Sequence, residues 1–133
     1  MIVVDTNILA YLYLPTTHTP QVETLLGTDA EWAAPTLWRS EFRNVLAGYL
    51  RRGVLTFDAA LNIQAEAENL LAGNEHDVDS VRVLELVRDS DCSAHDCEFV
   101  ALAMRLGVEL VTTDAQLLRA FPGCVTSLAH ASR

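Results

Sequence analysis

The sequence predicts an α/β sandwich around a mainly parallel sheet, on three observations. Two short apolar runs, IleValVal at 2–4 and GluLeuValThrThr at 109–113, are rich in β-branched residues, and each runs straight into an aspartate. Between them lie segments with helical apolar spacing, several bounded by capping or stop residues. No internal repeat, low-complexity tract or long linker interrupts the 133 residues, so one domain, 1–133, is the economical expectation.

Taken in order, the strand at 2–4 has the character of a buried parallel strand entering a helix at Asp5. Residues 7–14 carry helical spacing and are stopped by Pro15. A second short helix is expected at about 19–26, closed by Gly27. Residues 31–34 suit a short strand, and Pro35 suits the first turn of the next helix. That helix, about 36–52, ends at Arg51, Arg52 and Gly53, with basic charge at its negative pole and glycine just beyond. Asp58 is the expected cap of a helix at 59–72, stopped by Gly73 and Asn74. Residues 76–79 suit an edge strand, followed by a helix from Ser80 to about Asp89. Ser93 starts a helix that runs to Leu106 and stops at Gly107. After the strand at 109–113 come Asp114, a helix at about 115–120 and a last strand at 124–126. In parallel sheets ligands bind beyond the carboxyl ends of the strands, the edge on which Asp5 and Asp114 fall.

The formal charge is −9, an unusual balance for a protein that touches nucleic acid. All nine basic residues are arginine. With no lysine, a P-loop is excluded, and the aspartate-nucleophile phosphatases and receiver domains are disfavoured. Cys92, Cys97 and Cys124 are odd in number and lack CxxC spacing, which points to free thiols in a reducing cytoplasm. No apolar run approaches the roughly 20 residues of a membrane span, and the N-terminus lacks the pattern of a signal peptide.

Four acids stand out. Asp5 and Asp114 each end a strand; a helix N-cap explains either one alone, but two such strands set both carboxylates along one sheet edge. Asp96 fits a capping box with Ser93, yet shares a helical stripe with Phe99, Val100, Ala103 and Leu106 that turns it towards the protein. Glu41 has Leu37, Trp38, Asn44 and Val45 as helical neighbours and no arginine at those spacings. It is expected to interrupt a buried stripe, where an isolated carboxylate is costly and is pushed towards its neutral form. A bound cation or a long-range salt bridge would compensate. Several carboxylates together repel one another unless hard cations such as Mg²⁺ or Mn²⁺ sit between them. Paired metals about 4 Å apart activate a water and stabilise the leaving oxygen of a phosphodiester, giving a 5′-phosphate and a 3′-hydroxyl.

These stretches, MIVVDTN, SEFRNVL, SAHDCEFVALA and ELVTTD, in this order and spacing, resemble a PIN domain over nearly the whole chain, in particular the VapC toxins of toxin–antitoxin pairs. The resemblance implies a three-layer α/β/α fold, a Mg²⁺- or Mn²⁺-dependent endoribonuclease, a homodimer and an antitoxin partner that lays a segment across the groove. It places the catalytic and metal-binding acids on Asp5, Glu41, Asp96 and Asp114, with Thr112 and Asn7 bracing the site. His95 stands where relatives often have tyrosine and is expected at the rim or surface. Arg39 and Arg43 share a helical face and are candidates for RNA contact, against a merely solvated surface. Asp77, Asp79, Asp89 and Asp91 are expected as surface charge, with Asp91 near enough in sequence to approach the pocket. The rival readings are a metal-dependent DNA nuclease or phosphatase, and a catalytically silent PIN-like module that binds RNA or protein.

Overall fold

The computed structural model describes all 133 residues. Its sheet has five parallel strands in the order β3-β2-β1-β4-β5: β1 (Ile2–Val4), β2 (Trp32–Pro35), β3 (Glu75–His76), β4 (Leu110–Thr112) and β5 (Val125–Ser127). Helices cover it to give three layers, as the sequence predicts. The chain starts at the centre, builds outwards through β2 and β3, then crosses back to place β4 on the other side of β1. The strand order therefore reverses between β1 and β4, and a crevice opens there beyond the strands' carboxyl ends.

The helices are α1 (Thr6–Tyr13), α2 (Thr19–Thr28), α3 (Trp38–Arg51), α4 (Phe57–Leu70), α5 (Ser80–Arg88), α6 (Ala94–Leu106), α7 (Ala115–Ala120) and α8 (Leu128–Ala131). Helix α6, backed by α5, lies against β1, β2 and β4, while α1 packs on β4 with α2 and α3 beside it. A core of 30 buried residues joins these layers, with Trp32, Trp38 and Phe42 as its largest fully buried members. Their indoles are not left unsatisfied: Trp32 Nε1 donates to the Asp29 carbonyl and Trp38 Nε1 to Glu75 Oε1, each at 2.7 Å.

Several boundaries differ from the sequence reading. Pro35 ends β2 rather than starting α3, because β2 continues to pair with β3 through His76. Gly27 lies inside α2, whose last turn is held instead by the Thr28 hydroxyl on the Thr24 carbonyl at 2.9 Å and closed at Asp29. Thr56, not Asp58, caps α4: its backbone is extended and its hydroxyl accepts from the Ala59 N–H. The short α8, capped by Ser127, spans too few residues to show a period. Gly107 ends α6 with φ 67°, the left-handed turn that favours glycine. A Cβ there meets open space, so Gly107→Ala should cost only the backbone strain, about 1 kcal/mol, and lower the melting temperature by a few degrees.

Candidate active site

Parallel pairing places the first pair of candidate residues. Val3 and Val4 of β1 lie opposite Leu110 and Val111 of β4, so the next position along brings Asp5 beside Thr112. The Thr112 hydroxyl donates to Asp5 Oδ2, while Asp5 Oδ1 accepts the Ile8 N–H at 3.0 Å and caps α1. Thr112 Oγ1 also accepts the Asp114 N–H at 3.0 Å. Asp114 in turn caps α7, with Oδ1 taking the Gln116 N–H at 2.8 Å and the Leu117 N–H at 3.3 Å. Thr112, fully buried, thus ties the two strand-end aspartates together.

The other two acids arrive on helices. Glu41 sits in the first turn of α3 and accepts the Thr6 hydroxyl through Oε1 at 2.7 Å. It is half-buried and does not interrupt the buried stripe, which runs through Trp38, Phe42 and Leu46. The expected desolvated and partnerless carboxylate is therefore corrected: the periodicity places Glu41 beside the stripe, and a neutral hydroxyl meets it. Asp96 lies in the first turn of α6, whose N-terminus Ser93 caps by accepting the Asp96 N–H at 3.1 Å. No return bond from the Ser93 N–H closes the capping box, and the Asp96 side chain lines the crevice beside Phe99.

Asp5, Glu41, Asp96 and Asp114 together line one crevice of about 260 Å³, with Thr6, Asn7, Asn44, Val45 and Phe99. No arginine or histidine lines it. All four acids occupy a cap or first turn: α1, α3 and α7 follow β1, β2 and β4, α6 follows α5, and the positive ends of these four helices thus face the carboxylates. This offsets only part of the burial. Burial pushes the Asp5 carboxyl up to about 6, with the charges of Asp96 and Asp114 acting in the same direction and the Thr112 and Ile8 hydrogen bonds opposing. Asp96 is also raised, by burial first and then by the charge of Asp114.

Such a set of oxygen donors, mutually repelling and without an internal cation, fits a hard divalent ion in its chemistry. The side chains as they stand are spread along the crevice, and no three acidic, histidine or cysteine groups close on one centre.

The comparisons with known proteins agree with this architecture. A model of the PIN domain family matches residues 2–121. Ribonuclease VapC3 of Pyrobaculum aerophilum is 33% identical over 128 residues, covering 94% of this chain and 98% of its own. The chain belongs to the PIN-domain family. Solved structures share the fold at lower identity. The crystal structure of PAE2754 from Pyrobaculum aerophilum has a TM-score of 0.78 at 18% identity, covering 98% of this chain and 92% of its own. A toxin–antitoxin complex from Klebsiella pneumoniae has a TM-score of 0.70 at 16% identity, covering 96% and 98%.

Within this PIN fold the remaining candidates separate. Asn7 lines the crevice and Thr112 supports it from behind. Arg39 is already engaged. Its guanidinium grips Glu75 through Nε and Nη2 at 2.7 and 2.8 Å and Glu68 through Nη1 at 2.9 Å, so it ties α3 to α4 and β3. Arg43 is exposed and makes no ion pair. His95 is exposed and outside the crevice; Asp91 lines a neighbouring hollow with Gln116 and Arg119. Thr6 is the residue that sequence reasoning missed, since its partner lies 35 positions away and no local spacing announces it.

Proposed function

We propose that this chain is a divalent-metal-dependent endoribonuclease, the toxin of a toxin–antitoxin pair. The observation that carries the reading is the lining of one crevice by four carboxylates from four helix starts, with no arginine or histidine among them. The likeness to a protein named as a ribonuclease supports RNA as the substrate, and the fold shared with a toxin–antitoxin complex supports the biological role.

Asp5, Glu41, Asp96 and Asp114 would hold Mg²⁺ or Mn²⁺. When bound, the ion supplies charge neutralisation and a water acidic enough to attack phosphorus at neutral pH. The chain's own residues do the rest. Thr112 and Thr6 fix the acids, the amides of Asn7 and Asn44 offer neutral donors at the rim, and Phe99 and Val45 form an apolar wall that limits stray water. Arg43 is the arginine we assign to RNA contact, through its exposed charge on α3. The acidic crevice suits an arginine-bearing segment of an antitoxin, by charge and by bidentate geometry. We assign a homodimer, and a reducing cytoplasm for its three free cysteines; no helix is long and apolar enough to cross a membrane.

The test is cleavage of a structured RNA by the purified, metal-stripped chain, in parallel with single-stranded DNA and a phosphomonoester. Cleavage of RNA that appears with Mg²⁺ or Mn²⁺ and stops with a chelator is the expected result. Equal cleavage without metal, or turnover confined to DNA or the monoester, would overturn it.

A further inference from the structure

We propose that Thr6 is a positioning residue for the metal site, its hydroxyl fixing Glu41 so that one carboxylate oxygen is held and the other is presented to the cation. The proposal rests on the metal-site reading above. Thr6 is 7% exposed, so its hydroxyl must find a partner inside the protein. A threonine within a helix commonly turns its hydroxyl back on the carbonyl a turn earlier, but Thr6 is the first residue of α1 and strand β1 precedes it. The hydroxyl is thus released to reach across to α3, where it donates to Glu41 Oε1 at 2.7 Å. Glu41 Oε2 has no hydrogen-bond partner, and no arginine or histidine lies along the crevice to claim it.

The choice of donor matters. An arginine in this place would engage both oxygens and cancel the charge that a cation needs. A hydroxyl gives one hydrogen bond, fixes the rotamer and leaves the charge intact. The same rule holds across the crevice: Asp5 is held by a threonine and a backbone N–H, and Asp114 by two backbone N–H groups. Because Thr6 follows Asp5 directly, the cap that fixes Asp5 also sets the origin from which Glu41 is aimed. One short segment therefore coordinates acids 36 positions apart.

The experiment titrates Mn²⁺ into the metal-stripped full chain by calorimetry, without RNA. Thr6→Val keeps the β-branched shape and removes the hydroxyl; Thr6→Ala removes it without demanding the same fit; Thr6→Ser restores it. The expected result is about 10-fold weaker Mn²⁺ binding for both variants that lack the hydroxyl, and near-wild-type binding for Thr6→Ser. In a Glu41→Ala background, Thr6→Val should cause no further loss, since its only route is through that carboxylate. Unchanged binding by Thr6→Val or Thr6→Ala, or an equal further loss in the Glu41→Ala background, overturns the positioning role alone. A wild-type chain that binds no Mn²⁺ overturns the metal site itself and the proposal with it.

Discussion

Replacing Asp5 with asparagine is expected to abolish RNA cleavage while raising the thermal stability of the metal-free protein. Asparagine preserves the α1 cap, since its amide oxygen can still accept the Ile8 N–H. It removes a charge from the crevice, so cleavage should fall on the order of 10³-fold or more. The stability effect has the opposite sign. Burial lifts Asp5 from 3.8 to about 6 in the folded protein. The folded state thus holds this proton more tightly than the unfolded chain does, and stability is lost as pH rises through that window. At pH 7 the full cost of ionising Asp5 is present, on the order of 3 kcal/mol at most. Asp5→Asn removes it, so its melting temperature should exceed that of the wild type at pH 7.5, with the gap narrowing towards pH 4. Retained cleavage would remove Asp5 from the chemistry; an unchanged or lower melting temperature would remove the burial argument.

The second large effect concerns the fold rather than the site. Glu75→Ala is expected to destabilise the protein by about 2 kcal/mol while leaving cleavage per folded molecule unchanged. Glu75 Oε1 receives both the Trp38 indole N–H and Arg39 Nε, and Oε2 receives Arg39 Nη2, so removal strands an indole donor in the core. Arg39 keeps contact with water at 37% exposure, which holds the cost to the lower end for a broken pair. The Arg39 guanidinium holds the Glu75 carboxyl below its usual value, so this contribution is present above about pH 4.5 and fades as pH falls through the lowered value. Chemical denaturation of wild type and variant at pH 7, with an RNA assay on the same samples, checks both halves.

Much of the fold was legible because it is written locally. Apolar β-branched runs gave the strands, Ser93 and Gly107 bounded α6 to the residue, and the two strand-end aspartates gave the edge of the site. What escaped the sequence is what depends on partners far along the chain. Arg39 and Arg43 share a helical face by spacing, but only the pairing of β3 with β2 brings Glu75 to Arg39. Glu41 reads from its spacing as a buried carboxylate lacking a local partner; in the structure it is half-buried at the crevice. Its partner is a threonine on another helix, and its helix turns Phe42 rather than Glu41 into the core.

The reversal of strand order between β1 and β4 also governs how the activity can be divided. The exposed turn at Ala72 and Gly73 separates the chain into two blocks. The first carries Asp5 at the start of α1 and Glu41 on α3; the second carries Asp96 on α6 and Asp114 at the start of α7. Neither block owns half an enzyme in any working sense, because the crevice is the seam between them. Split at that turn, the second piece would carry β3 as well as β4, so both the β2–β3 and the β1–β4 pairings would have to re-form before the four acids could share the crevice.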